Sequence, residues 1–119
     1  MSSTLRKELY NKTGVAVVAD DLDDANFENG ARGIEVKEID FIAVLKILNR
    51  TAGDVDGIIE HSFDGTYWET IATFSTLSAD GIDLQEISAF VLPKVRAKIT
   101  KTNAAVCDIE VYLYHSRQR

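Results

Sequence analysis

The most regular feature of the chain is an alternation of apolar and polar residues over its last third. Apolar and polar residues alternate over positions 94–100, with basic residues at 94, 96 and 98, and they alternate again over 107–114. Because successive side chains of a strand point to opposite faces of a sheet, this period of two predicts strands with one buried and one solvated face.

Short runs rich in apolar, aromatic and β-branched residues predict further strands. The longest, 41–48, is continuously apolar apart from Lys46, which suits either a strand covered on both faces or a buried helix. We favour a strand, because alternating segments follow it at short intervals. Asp64-Gly65 lies between two such runs and predicts a hairpin turn. The remaining predicted strands are 15–19, 34–36, 54–61, 67–74 and 87–92.

Three segments lack a strand pattern. Residues 1–12 are polar with spaced leucines and predict a short helical turn or a mobile arm, 20–30 form an acidic loop, and 75–85 form a polar connection. The lone Pro93 predicts a break between strands. We therefore expect an all-β, antiparallel two-sheet β-sandwich at 31–119, jelly-roll-like or immunoglobulin-like, preceded by an N-terminal arm and acidic loop at 1–30.

Length and charge narrow the classes of function. The chain has 119 residues, enough for one domain with its own core. Its net charge of -6 argues against nucleic acid and anionic membranes as partners, since both attract basic surfaces. No apolar run reaches the roughly 18 residues of a membrane span, and the first residues do not resemble a signal peptide, so we expect no export.

The sequence offers little catalytic chemistry. His61 and His115 lie on different predicted strands, and we expect each to be an ordinary strand residue. Cys107, the single cysteine, falls on an inward face, where a thiol packs as a small apolar group. Phosphate loops, nucleophile elbows and zinc-ligand spacings are not found in the sequence. The prediction is a protein without enzymatic activity, cofactor or bound metal.

Aromatic residues provide candidate contact surfaces. Tyr112 and Tyr114 share one face of the last predicted strand, and tyrosines supply large contact area at low entropic cost. Tyr67 and Trp68 are adjacent and so point to opposite faces, which argues against a flat sugar-stacking platform. We expect Trp68 to anchor the core beside the hairpin.

Charged residues provide two further candidate sets for partner binding. The first is a basic row on one strand, which either meets the acidic loop of a neighbouring copy or forms a solvated face that blocks unwanted edge pairing. The second lies in the acidic loop, which is solvated or meets a basic patch on a partner; a calcium site is less favoured, because the EF-hand spacing is missing. The basic row is Lys94, Arg96 and Lys98, and the acidic set is Asp20, Asp21, Asp23 and Asp24.

Two segments carry a resemblance to a known group of proteins. Residues 60–71 have the pattern E-x-S-x-D-G-x-x-W-x-x-I, and 95–100 have V-R-x-K-x-T. Both patterns are similar to those of small β-sandwich proteins from the structural modules of tailed bacteriophages and prophages, over about residues 33–114. The hairpin pattern also occurs in discoidin-like and carbohydrate-binding sandwiches. The acidic N-terminal stretch and Pro93 depart from the usual phage pattern.

The resemblance implies a virion protein, made in the host cytoplasm, of the head decoration or cement type. Such a protein binds the lattice of the major capsid protein, or another virion protein, in many copies, and is often a trimer or dimer. The resemblance brings no catalytic residues. Two other roles stay open: a tail or head-tail connector component, and a carbohydrate-binding β-sandwich module with Tyr67, Trp68, Tyr112 or Tyr114 as stacking residues.

Overall fold

The computed structural model describes residues 3–16, 34–35, 41–87, 93–101 and 106–117, and over these ranges the chain forms strands and turns without a helix. The prediction of an all-β fold is therefore confirmed. The strands are β1 (Ser3–Ala16), β2 (Ile34–Glu35), β3 (Phe41–Ala52), β4 (Val55–Ser62), β5 (Glu69–Thr73), β6 (Gly81–Ile87), β7 (Lys94–Lys101) and β8 (Val106–Arg117).

The strands form two four-stranded antiparallel sheets that pack against each other as a sandwich. Sheet A has the order β1-β8-β3-β6, and sheet B has the order β2-β7-β4-β5. β4 and β5 form a hairpin, and outward from it β3 pairs with β6, β2 with β7 and β1 with β8. The chain is thus one long hairpin rolled up into two sheets, which is the jelly-roll arrangement.

The core lies between the sheets and is built from the inward faces of the alternating strands. In β7, Val95, Ala97 and Ile99 are at most 2% exposed, while the residues between them are partly exposed. β3 and β8 alternate in the same way. Full burial of each aliphatic side chain contributes roughly 1.5–3 kcal/mol. The largest buried aliphatic side chains include Leu45, Ile47, Ile59, Ile109 and Leu113.

The start of the chain differs from the expected arm. Residues 3–16 form β1, an edge strand of sheet A that pairs with β8. The register shifts between Glu8 and Tyr10, and the neighbours Leu9 and Tyr10 are both buried there. A bulge of this kind interrupts the period of two, so the leucine spacing suggested a helical turn instead. Residues 17–30 lie outside the described residues.

β6 also differs from expectation, because the sequence predicted a polar connection over 75–85. The segment does alternate, but Ile82 and Leu84 point to the outer face of sheet A while Asp83 points inward. This inverted polarity resembled a loop. Of the strand predicted at 87–92, Ile87 is the last residue of β6, and 88–92 fall outside the described ranges.

Asp83 can face inward because hydrogen bonds satisfy its carboxylate at the edge of the sandwich. Its Oδ2 accepts the backbone N–H of Ser75 at 2.9 Å and the side-chain amide of Gln85 at 2.9 Å. A buried or half-buried carboxylate without such donors would be costly. These bonds tie the 74–80 connection to β6 and hold the outward direction of Ile82 and Leu84.

Candidate functional site

The candidate residues occupy opposite sides of the sandwich. Tyr112 and Tyr114 lie on the outer face of sheet A, and Lys94, Arg96 and Lys98 lie on the outer face of sheet B. A single copy therefore cannot bring the tyrosines and the basic row to one site. The acidic candidates lie outside the described residues; they are Asp20, Asp21, Asp23 and Asp24.

The outer face of sheet A carries an exposed aliphatic patch that the sequence analysis missed. Ile82 is 56% exposed, Leu84 55% and Ile42 44%. The register sets Leu84 beside Val44, so these side chains form neighbouring rows on β3 and β6. Contiguous exposed apolar surface of this kind commonly marks an interaction site. We name these four residues, Ile42, Val44, Ile82 and Leu84, the β3–β6 patch. The detectable signal was the alternation of Ile82 and Leu84 with polar residues.

Tyr112 and Tyr114 extend the β3–β6 patch onto β8. Tyr112 lies beside Val44 and Tyr114 beside Ile42 in the register of the sheet. The two rings pack edge to face, with centroids 6.1 Å apart and an interplanar angle of 61°, a favourable aromatic geometry. Tyr112 is buried by its neighbours although it is on an outer face, whereas Tyr114 is partly exposed. Tyr114 is therefore the tyrosine that can contact a partner.

The hydroxyl of Tyr112 is committed within sheet A. It donates a hydrogen bond to the carboxylate of Glu110, and Glu8 lies opposite it on β1. The bond to Glu110, then burial, then Glu8 raise the pKa of Tyr112 well above its ordinary value. The phenol consequently stays protonated at physiological pH, and its hydrogen bond joins two residues of the same strand, β8.

The outer face of sheet B is closed by a cluster around a buried carboxylate. Nε of Arg96 lies 2.8 Å from Oε1 of Glu60, and Nζ of Lys98 lies 3.6 Å from Oε2. The guanidinium of Arg96 also stacks 4.0 Å from the centroid of the Trp68 ring. Two of the three basic candidates thus have a partner inside the chain. We name Glu60, Trp68, Arg96 and Lys98 the Trp68–Arg96 cluster.

The prediction that Trp68 anchors the core is wrong. Trp68 lies outside the core, partly exposed on Arg96, with its Nε1–H donating to the carbonyl of Gly65 at 3.2 Å. The residue precedes the first residue of β5, so strand alternation does not set its direction. Phe74, 3% exposed, fills the core near this hairpin instead.

The six-residue loop between β4 and β5 is held by its own side chains. Oγ of Ser62 accepts the N–H of Gly65 at 2.8 Å, and Oδ1 of Asp64 accepts those of Thr66 at 2.9 Å and Tyr67 at 3.2 Å. The bonds from Thr66 and then Tyr67 lower the pKa of Asp64. Gly65 has φ 83°, a conformation that favours glycine. The predicted Asp-Gly turn is confirmed, within a longer loop.

The two sequence patterns at 60–71 and 95–100 coincide with these structural contacts. Glu60, Trp68 and Arg96 meet in the Trp68–Arg96 cluster, while Ser62 and Asp64 hold the loop. The patterns therefore specify how the β4–β5 hairpin is joined to β7. They do not include any residue of the β3–β6 patch.

The β4–β5 loop presents two exposed aromatic side chains. Phe63 is 75% exposed and Tyr67 is 82% exposed. Because Asp64 binds the backbone at Tyr67, the loop is ordered before any partner arrives, which lowers the entropic cost of binding. This makes the loop a second candidate contact surface, on the sheet B side of the molecule.

The remaining candidates for chemistry are part of the framework. Cys107 is buried in the core, as predicted, and burial raises the pKa of its thiol, with Asp108 and Asp80 adding to the effect. His61 is buried, with Nε2 3.2 Å from Oε1 of the exposed Glu69. The side chain of His115 lies outside the described part of the chain. Across the described residues, no group of three or more His, Cys, Asp or Glu is placed to hold a metal ion.

In comparisons with known proteins, no protein-family model, no curated protein and no solved structure matches this chain. Among the described residues, no helix is long and apolar enough to cross a membrane.

Proposed function

We propose that the chain is a non-enzymatic virion structural protein, a capsid decoration or cement protein that binds the phage head lattice in many copies as a homo-oligomer. The observation that carries this proposal is the β3–β6 patch. Ile82 and Leu84 keep more than half of their surface in water although they lie on a regular strand. Removing apolar surface from water contributes roughly 25 cal/mol of favourable free energy per Å². A partner that covers the patch would therefore form a more stable complex with this chain.

The architecture supports this proposal at a coarser level. Jelly rolls recur in viral capsid and lectin domains, and the hairpin and β7 patterns resemble phage structural proteins. Fold alone does not determine function, and the exposed apolar surface is the more specific support for the proposed role. Repetition on a lattice also suits such a patch, because many weak contacts made by linked copies add up through avidity.

The test is the amount and position of the protein in purified virions. Quantitative mass spectrometry is expected to find the chain in particles at a copy number close to that of the major capsid protein. Heads purified without it should take it up when it is added back, and should then resist heating better. Its absence from particles would rule out a virion role.

A tail or head-tail connector role is distinguished by the same measurement. Those structures occupy one axis or one vertex of the particle, so their components are present in far fewer copies than the capsid protein. A low copy number, with the chain recovered in purified tails, would replace the decoration role by this one.

A carbohydrate-binding module is favoured by a different observation, the exposed aromatic side chains of the β4–β5 loop. Phe63 and Tyr67 offer apolar ring faces of the kind that stack on sugars. Binding on a glycan array that is lost in Tyr67→Ala, while the variant stays folded, would support this role. An array without signal would remove it.

A further inference from the structure

We propose that β6 is a dimerisation edge, to which a second copy of this chain adds its own β6 in antiparallel orientation, with Leu84 on the two-fold axis. The two copies of sheet A would then form one continuous eight-stranded sheet. The inference deepens the proposed function, because it rests on the outer face of sheet A being an assembly surface. It names the partner at that edge as the chain itself.

β6 lies at one edge of sheet A. Within the described residues β6 pairs with β3 alone, in an uninterrupted register over seven residues. An exposed edge of this kind offers unpaired N–H and C=O groups, and folded proteins usually protect it with charges, prolines or bulges. β6 has neither proline nor bulge. Its two charged residues are Glu86, which is exposed, and Asp83, which faces inward with its carboxylate bonded to Ser75 and Gln85 of the same chain. Its outward side chains also include Ile82 and Leu84.

The corresponding edge of sheet B shows what a solvated edge in this molecule looks like. β5 exposes Glu69, Thr70 and Thr73, and its pairing with β4 contains a register shift. Polar side chains and an irregular register both discourage pairing with another chain. The two edges lie on the same side of the sandwich, so the contrast between them singles out β6.

The pleat of the sheet selects one register for the self-pairing. Opposed residues in an antiparallel pair lie on the same face of the sheet. Because both copies of sheet A must turn the same face outward, the residue at the two-fold axis has to be opposed by its own copy in the second chain. Centring on Asp83 would oppose two carboxylates, and centring on Gln85 would set Asp83 against the apolar Ile87. Centring on Leu84 opposes Leu84 with itself and sets Asp83 against Gln85 of the second copy, a pairing of acceptor and amide donor.

Charge complementarity supports the same register. Centring on Leu84 places Ile82 opposite Glu86 of the second copy. Lys46 lies beside Ile82 on the outer face, so Lys46 and Glu86 of the second copy stand two strands apart. With strands spaced about 4.8 Å, their backbones are roughly 10 Å apart, a gap that two long side chains of opposite charge can span. The pair occurs twice in the dimer.

The dimer would enlarge the surface that faces the lattice. Val44 and Leu84 of one copy would continue directly into Leu84 and Val44 of the other, so the two patches would merge on one side of the eight-stranded sheet. Two linked patches bind a repeating surface with an avidity that neither has alone. The self-pairing thereby uses the backbone hydrogen-bonding groups at the β6 edge and leaves the outer face of sheet A available to the capsid.

Site-directed cross-linking tests the register. In a Cys107→Ala background, Leu84→Cys is expected to form a disulfide-linked dimer under mild oxidation, because residues on the axis are directly opposed. Ile82→Cys alone should not, since its two copies would be offset by roughly 13 Å along the strands, beyond the reach of a disulfide. A mixture of Ile82→Cys and Glu86→Cys proteins should cross-link again. The proposal would be overturned if folded Leu84→Cys protein formed no cross-linked dimer, or if Ile82→Cys alone cross-linked equally well.

Light scattering on unmodified protein supplies the second readout. The native chain is expected to be a dimer, Leu84→Lys a monomer, and Thr73→Lys, the matched change on β5, a dimer. A native monomer, or a Leu84→Lys dimer, contradicts the inference. The two proposals fail separately. A cross-linked dimer that does not bind heads would support the β6 contact and rule out the decoration role. A monomer that binds heads would support the decoration role and rule out the β6 contact.

Discussion

Replacing Arg96 by methionine tests whether the Trp68–Arg96 cluster is a structural brace. Methionine keeps much of the apolar stem but removes the guanidinium, which lies 2.8 Å from Glu60 and 4.0 Å from the Trp68 ring centroid. Both charged side chains are largely buried, with 12% of Arg96 and 9% of Glu60 exposed. The variant therefore leaves a desolvated carboxylate with Lys98 at 3.6 Å.

The cost follows from two lost interactions. Removing one partner of a buried ion pair costs about 3–5 kcal/mol, and Lys98 offsets part of that by remaining beside Glu60. Loss of the stacking on Trp68 adds about 1 kcal/mol. We expect Arg96→Met to lower the free energy of unfolding by about 3 kcal/mol, a large share of the roughly 5–15 kcal/mol available to a domain.

A second substitution isolates the charge pair. Glu60→Gln keeps the shape of the side chain and removes its charge, so we expect a loss of about 1.5 kcal/mol. In the double variant no unpaired carboxylate remains, and the total should be about 2 kcal/mol, well below the sum of the single losses. A coupling of about 2.5 kcal/mol is within the range measured for residues in contact.

Urea unfolding measures all three variants on one scale. With a denaturant slope of about 1.5 kcal/mol per molar, Arg96→Met should move the midpoint by about 2 M. Additive losses in the double variant, or a loss under about 1 kcal/mol for Arg96→Met, would refute the brace. The basic row would then be a solvated face available to partners.

Three further predictions concern stability and reactivity. Ile59→Ala should cost about 2–5 kcal/mol because Ile59 is fully buried, whereas Ile82→Ala on the outer face should cost under about 1 kcal/mol; equal urea midpoints would contradict the assigned faces. The loop N–H groups hold the pKa of Asp64 below its ordinary 3.8, so its contribution is present above that pH and is lost as pH falls through the lowered value. Asp64→Asn should therefore lose less stability than the native protein on acidification from pH 4 to 2, and parallel curves would refute this. Cys107 should resist thiol reagents at pH 8 until urea unfolds the chain, and immediate labelling would place it outside the core.

The sequence predicts the strands whose pattern is simple. β7 and β8 alternate cleanly, and each buries the residues that the period of two assigns to the core, from Val95 to Leu113. The Asp64-Gly65 turn also follows from local chemistry, because glycine adopts the required φ without strain. In these segments the local pattern and the tertiary structure favour the same conformation.

Two strands, β1 and β6, could be recognised only from the tertiary structure. β1 contains a bulge that buries Leu9 and Tyr10 side by side, which destroys the alternation that marks a strand. β6 alternates in the inverted sense, with Asp83 inward, and its carboxylate is satisfied by the backbone of Ser75, eight residues earlier. Such compensation comes from a backbone group outside the strand, so it leaves no signal in the pattern of apolar and polar side chains.

The residues of the candidate site were likewise only partly predictable from the sequence. Tyr114 was found from the pattern and lies at the margin of the β3–β6 patch, but Ile82 and Leu84 were not found, because their exposure depends on the facing of β6. The motif residues Glu60 and Arg96 proved to contact each other inside the chain. A conspicuous pattern thus marked structural contacts, while the apolar surface lay in an inconspicuous segment.

The proposed decoration role requires that the outer face of sheet A is the surface that binds the phage head. Co-sedimentation of the protein with heads that lack it tests this directly, using Ile42→Lys, which changes the face but not the β6 edge, and Thr73→Lys on sheet B as the control. We predict that Ile42→Lys binds at least ~10-fold more weakly, a change of about 1.4 kcal/mol, while Thr73→Lys binds like the native protein. Equal binding by native protein and Ile42→Lys would contradict the proposed role of this face.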